Sequence, residues 1–263
     1  MAVEFSLCIE MIFPELPPVE RLESVAAAGF QSVEIWDWKN KDLSKFAARC
    51  ATLGLHVTNM SGQRSGSLVD ANDFRTYSDE VSASIGVAKQ LCCPNLMLLT
   101  NPLGPDGTVL HSYPHISEHV KRENCVRALS QLARLADSHG VHLLLEPLNT
   151  RIDHPGYWLD DADAAFEVIR EVNHPNVRLL YDLYHMRAMG RNLFSDIEEH
   201  LSLIGYFHAA DFPGRHEPGT GTIDFPSILR LLDSLGYDGT LGFELSPTAS
   251  SEQALARLST LIA

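Results

Sequence analysis

At 263 residues, 45% hydrophobic and 21% charged, the chain has apolar material for one large core and no compositional mark of disorder. Its formal net charge of −14 repels phosphate backbones and anionic lipid surfaces, and its longest basic cluster is Lys121-Arg122, which argues against nucleic-acid and membrane partners. No apolar run approaches the roughly 18 residues that span a bilayer. The start, Met1-Ala2-Val3-Glu4, lacks a basic n-region, and the cysteines Cys8, Cys50, Cys92, Cys93 and Cys125 form neither a CxxC pair nor an even framework. The expectation is a reduced, cytosolic (cytoplasmic) protein without signal peptide or anchor.

From the amino terminus, strand-like and helix-like segments alternate. Strands are expected near 4–9, 32–36, 55–60, 95–99, 141–146, 177–182, 204–209 and 240–245. Amphipathic helices are expected over 19–28, 43–53, 74–91, 116–139, 162–172, 193–201, 225–235 and 252–262. Eight such units predict an α/β protein, a single (β/α)8 TIM barrel in one domain over 1–263, close to the typical length of about 250 residues. Ala28-Gly29-Phe30, Leu53-Gly54-Leu55, His139-Gly140-Val141 and Leu235-Gly236-Tyr237 each place glycine just past a helix end, where a left-handed residue is needed. These glycines mark the bottom of the barrel. Four longer loops, 61–73, 100–117, 149–160 and 211–223, are lid candidates or plain punctuation. Helices 74–91 and 116–139 are the candidate surface for a homo-oligomer, although apolar residues on barrel helices ordinarily cover the strands.

Four residues with metal-ligand chemistry stand at or next to strand ends: Glu146, Asp182, His208 and Glu244, spaced by 36, 26 and 36 residues. In a parallel barrel that recurrence sets them around one rim, where loop-borne chemistry is assembled. Any one alone reads as a helix cap or a rim charge. Together, three acids would repel one another without a cation, so one divalent metal ion is expected. Oxygen ligands with one imidazole favour Mn²⁺ or Mg²⁺, with Co²⁺ as a further option, over structural zinc. His185, three residues after Asp182 and at the start of a helix whose first turn faces the rim, reads as a substrate contact or as a residue that caps or packs under the loop. Arg215 has the planar fork that suits a substrate carboxylate or vicinal hydroxyls, or else pairs with Glu217 on the surface. Trp36 and Trp38 line the pocket or pack under a loop.

The stretches Glu146-Pro147-Leu148-Asn149-Thr150-Arg151, Asp182-Leu183-Tyr184-His185-Met186, Pro213-Gly214-Arg215-His216-Glu217-Pro218-Gly219 and Tyr237-Asp238-Gly239 through Glu244 resemble those of the hydroxypyruvate isomerases. These belong to the xylose-isomerase-like TIM-barrel superfamily, with ketose 3-epimerases and an endonuclease branch. The resemblance covers essentially the whole chain. It implies that Glu146, Asp182, His208 and Glu244 bind the metal, that Glu146 and Glu244 are catalytic and flank the reacting carbons, and that His185 and Arg215 contact a small sugar or hydroxy keto acid. The implied reaction interconverts hydroxypyruvate and tartronate semialdehyde through an enediolate. C3 epimerisation of a free ketose is the alternative. A non-catalytic sugar-acid-binding barrel and a nuclease are the remaining readings. Two departures stand out: hydroxypyruvate isomerases commonly carry Gln at the His208 position, where epimerases use His, and the loop after Arg151 is one residue longer than usual. The nuclease branch needs histidines at the ends of the third and fourth strands, which here read Asn59-Met60-Ser61 and Leu99-Thr100-Asn101.

Overall fold

The computed structural model describes residues 3–262. Eight parallel strands close into a barrel in sequence order: β1 Glu4–Cys8, β2 Ser32–Ile35, β3 His56–Ser61, β4 Asn95–Leu98, β5 His142–Leu145, β6 Val177–Asp182, β7 Ile204–Ala209 and β8 Thr240–Phe243. The first strand pairs with the eighth through Glu4 to Leu7 against Thr240 to Phe243, so the sheet has no free edge. The outer ring is α1 Pro18–Ala27, α2 Leu43–Leu53, α3 Phe74–Leu91, α4 Glu118–Asp137, α5 Ala162–Val172, α6 Leu183–Ala188, α7 Leu193–His200, α8 Phe225–Ser234 and α9 Ser251–Ile262. The (β/α)8 architecture expected from the alternation is the one observed. No described helix is long and apolar enough to cross a membrane.

The differences from expectation lie at element ends and have local causes. The fourth helix begins at Glu118 rather than 116, because the Ser117 side chain accepts a hydrogen bond from Val120 N and caps it there. The short helix α6 follows β6 without a loop, because Asp182 both ends the strand and caps the helix, accepting from Tyr184 N at 2.7 Å and His185 N at 3.0 Å. Gly29, Gly54, Gly140 and Gly236 all have positive φ, as their positions past helix ends require.

Strand periodicity decides which side chains reach the barrel axis. Leu143, Leu145, Leu179, Tyr181, Phe207 and Phe243 pack into the main core with the helices, whereas Leu144, Leu180 and Tyr206 join Met97 in a separate small cluster. Alternation along a strand then puts the residue two positions on, at the carboxyl end, on that same inner face. For β5, β6 and β7 those residues are Glu146, Asp182 and His208. On β8 the corresponding step runs from Gly242 to Glu244.

Candidate active site

One ligand atom from each of Glu146, Asp182, His208 and Glu244 lies within 4.8 Å of every other, and all four residues are buried. His208 Nδ1 sits 3.2 Å from Glu146 Oε1 and 3.4 Å from Glu244 Oε2. Glu244 also accepts from Trp36 Nε1 and Arg215 Nη2, and that arginine nitrogen is 3.9 Å from Asp182 Oδ2. Arg215 therefore pairs inward with the cluster. Glu217 is occupied elsewhere, accepting from Thr248 N at 3.0 Å and Thr248 Oγ1 at 2.6 Å.

Burial and charge pull these groups in different directions. Desolvation pushes the Glu146 carboxyl up to about 7 despite its hydrogen bond with His208, and raises Asp182 as well. For Glu244 the same desolvation is outweighed by His208 and Arg215, which hold it well below the usual carboxylate range. For His208, burial alone would depress the imidazole, but Glu34, Glu244 and Glu146 outweigh it and hold it well above its ordinary value. Burial, reinforced by Arg215 and His154, keeps His185 well below its usual value and so neutral. The donor set fits a divalent cation: three converging carboxylates and one imidazole, in a place where an excess of buried negative charge would otherwise go uncompensated.

A cavity of about 310 Å³ opens above the cluster. Glu146 and Glu244 line it, with Trp36, His185 and Arg215. All of the residues expected at the site are thus brought together, Asp182 and His208 forming the cluster with the two glutamates. Trp36 lines the cavity, its backbone N donating to Glu10 Oε1 at 3.2 Å, while Trp38 packs against the core and donates from Nε1 to Ser84 Oγ. His185 Nδ1 accepts from Asn149 Nδ2 at 2.7 Å, which leaves the ring hydrogen on Nε2. Among the described residues that buried Nε2 makes no hydrogen bond, Asp182 Oδ2 lying 3.6 Å away. It is a donor held ready at the cavity wall.

The four longer loops each contribute to the lining, Arg64 from 61–73, Leu103 to Gly107 from 100–117, Asp153 and His154 from 149–160, and Arg215 from 211–223, and Met97, Leu99 and Leu148 complete it. The last loop is organised by buried Asp211, whose Oδ2 accepts from the backbone N of Gly219, Thr220 and Gly221 at 2.9, 3.1 and 2.8 Å. Its Oδ1 accepts from Phe212 N and Ile223 N. A Cβ on Gly221 would lie 2.3 Å from Phe212 O, so only glycine fits there. Arg215 itself has φ +58°, a left-handed conformation that costs a non-glycine residue about 1–2 kcal/mol and that this loop must hold in place.

Sequence reading missed Glu34, Arg64 and Asp211. Glu34 was marked only by being a charge inside the apolar run Ser32-Val33-Glu34-Ile35; its Oε2 is 2.9 Å from His208 Nε2. Asp211 was signalled by the Gly/Pro-rich segment that follows it. Nothing in the sequence separated Arg64 from other loop arginines.

The sequence profile of the xylose isomerase-like TIM barrel family matches residues 22–261. The chain belongs to this family. Among its relatives, a human protein provisionally named a hydroxypyruvate isomerase is 32% identical over 97% of this chain and 94% of its own length. The hydroxypyruvate isomerase of Escherichia coli strain K12 is 27% identical over 96% of this chain and 97% of its own. A crystal structure described as an AP endonuclease, family 2, from Brucella melitensis superposes with a TM-score of 0.88 at 26% identity, covering 99% of both chains. D-Psicose 3-epimerase with D-tagatose from Clostridium cellulolyticum H10 has a TM-score of 0.79 at 19% identity, covering 99% of this chain and 96% of that one. The IolI protein with a bound zinc atom also has a TM-score of 0.79, at 20% identity, covering 98% and 96%. At that level of identity, the last two show a common fold. Within the family, the near full-length likeness to hydroxypyruvate isomerases makes this chain an isomerase acting on a small molecule.

Proposed function

We propose that the chain interconverts hydroxypyruvate, or a similar small 2-keto hydroxy acid, with its aldehyde isomer by moving a proton between adjacent carbons, and that one divalent metal ion assists. The observation that carries this reading is the pair of carboxylates from β5 and β8, Glu146 and Glu244, lining one small cavity beside the unpartnered Nε2–H of His185. The cavity volume of about 310 Å³ is at the small end of ligand pockets, as a short substrate requires.

A cation held by Glu146, Asp182, His208 and Glu244 would polarise neighbouring carbonyl and hydroxyl oxygens of the substrate and offset negative charge developing on them. Glu146 is the better placed proton carrier. Its Oε1 meets only His208 Nδ1 among the described side-chain donors, whereas Glu244 is held by both Trp36 and Arg215. Glu146 takes a proton from C3 of hydroxypyruvate, and the C–H electron pair becomes the C2–C3 double bond of an enediolate. Delivery of a proton from Glu146, which exchanges with solvent, to C2, with the C3 hydroxyl proton passing to the C2 oxygen, gives tartronate semialdehyde with no net oxidation. His185 donates from Nε2 to a substrate oxygen. Trp36 and the 103–107 segment line the cavity.

Arg215 is engaged with Glu244 and Asp182, so a second cation matters for an anionic substrate. Arg64 lines the same cavity and makes no ion pair among the described residues, its backbone N donating to Glu80 Oε2 at 3.3 Å. We assign it, with Arg215, to the substrate carboxylate. Steady-state assays on hydroxypyruvate and a panel of free ketoses test the reading. Hydroxypyruvate should be turned over in preference to every ketose, and Arg64→Met should raise its KM by about 10-fold or more, the worth of a hydrogen bond to a charged group. Inversion at C3 of a ketose with hydroxypyruvate inert would move the chain to the epimerase reaction. A nuclease role has little support, since β3 and β4 end without histidine and the net charge is −14.

A further inference from the structure

Glu34 on β2 is a carboxylate buried to 2% exposure inside the barrel, beneath the cavity, and it does not line that cavity. A buried carboxylate is costly unless its environment compensates it, so its partners show what it is for. Its Oε2 accepts from Asn59 Nδ2 at 3.0 Å and lies 2.9 Å from His208 Nε2. Both contacts are built into the backbone. The β2–β3 register shifts between Val33 and Glu34, which sets Asn59 opposite Glu34. The strand β8 provides the room: a Cβ on Gly242 would fall 1.8 Å from Glu34 Oε1, and Gly242 is the register partner of His208. From below, Tyr206 meets the His208 ring edge-on at 5.7 Å, its own hydroxyl tied to Thr58 Oγ1 at 2.9 Å. The imidazole is therefore held at Nε2 by Glu34 and flanked by Tyr206, while Nδ1 faces Glu146 and Glu244.

We infer that Glu34 is a positioning residue for the metal cluster: it accepts the Nε2 hydrogen of His208, fixes the ring so that the Nδ1 lone pair points at the cluster, and so sets the cluster's affinity for a divalent cation. Gly242 belongs to the same device, because any side chain there would drive the carboxylate off the ring. The inference rests on the metal reading proposed above. Carboxylate partners of this kind orient a ligating imidazole and raise its basicity, and their loss typically weakens metal binding by about 10–100-fold.

Calorimetric titration of the chelator-stripped full chain with Mn²⁺ tests it, using wild type, Glu34→Ala, Glu34→Gln and Gly242→Ala. The Mn²⁺ Kd should rise about 10–100-fold for Glu34→Ala and Gly242→Ala, and less for Glu34→Gln, which keeps an acceptor oxygen. Nitrogen-15 histidine spectra of the Mg²⁺-loaded protein should show a slowly exchanging His208 Nε2–H in wild type that is lost in Glu34→Ala. A melt of each metal-free variant separates packing from positioning. Lowered metal-free Tm with an unchanged Mn²⁺ Kd would overturn the inference and leave Glu34 a structural residue. A wild type that binds no Mn²⁺ would instead overturn the metal reading, and this inference with it.

Discussion

Replacing Glu146 with glutamine is expected to lower kcat by about 10²–10⁴-fold at saturating divalent metal, the usual contribution of a positioned proton carrier. The amide has the shape of the carboxylate and keeps an oxygen for the cluster, but it cannot take a proton from carbon. Folding should be spared. Desolvation already pushes the Glu146 carboxyl up to about 7, so a neutral side chain at this buried site relieves a strain rather than creating one. Stopped assays of Glu146→Gln, with KM and metal Kd measured in parallel, check this: kcat falls while KM changes little. A kcat within threefold of wild type would remove Glu146 from the role. If Glu244→Gln alone abolished turnover, the order of the two carboxylates would be reversed, even though Trp36 and Arg215 hold Glu244.

Stripping the metal with a chelator is expected to abolish turnover, restored by Mn²⁺ or Mg²⁺, and to lower Tm. At a metal concentration 100 times Kd, the bound cation adds about 2.7 kcal/mol, or roughly 5–10 °C in a chain of this size. The size of the shift should depend on pH. In the metal-free fold Glu146 is raised from 4.5 to about 7 and Asp182 is raised as well, so the folded state keeps protons that the unfolded chain has already released. The Glu146 contribution to stability is fully present below its unfolded value and is lost as pH rises through its folded value of about 7, and the Asp182 contribution is lost in the same direction. Cation binding needs the same carboxylates ionised. The Tm gain from metal should therefore grow between pH 5 and pH 7.5 in differential scanning calorimetry. A gain that shrinks over that range, or none at any pH, would contradict the assignment of the cluster.

The barrel was legible because two periods coincide: alternating apolar runs, and acids or histidine at their carboxyl ends. Given eight strands, the inward direction of Glu146, Asp182 and His208 follows from counting two residues past Leu144, Leu180 and Tyr206. His185 could be placed at a helix start because it follows Asp182, a strong capping residue, and the structure has that cap. What the sequence withheld depends on contacts across the barrel. Glu34 reaches His208 from a strand 174 residues away, through space that exists only because β8 has glycine at 242. The same holds for Arg215. Its local partner in sequence is Glu217, but a left-handed backbone and the hydrogen bonds converging on Asp211 turn it inward to Glu244. Trp36 and Trp38, two residues apart on the same segment, divide between cavity and core, a distinction that only the packed loop makes.

The central claim is proton transfer between adjacent carbons of a small keto acid, and its most direct test is an NMR assay of the metal-loaded protein with hydroxypyruvate in D₂O. The account predicts tartronate semialdehyde carrying solvent deuterium at C2, with deuterium also entering C3 of recovered hydroxypyruvate as Glu146 exchanges its proton with solvent. Product formed with no deuterium on carbon, or hydroxypyruvate left unchanged while a free ketose inverts at C3, would contradict it.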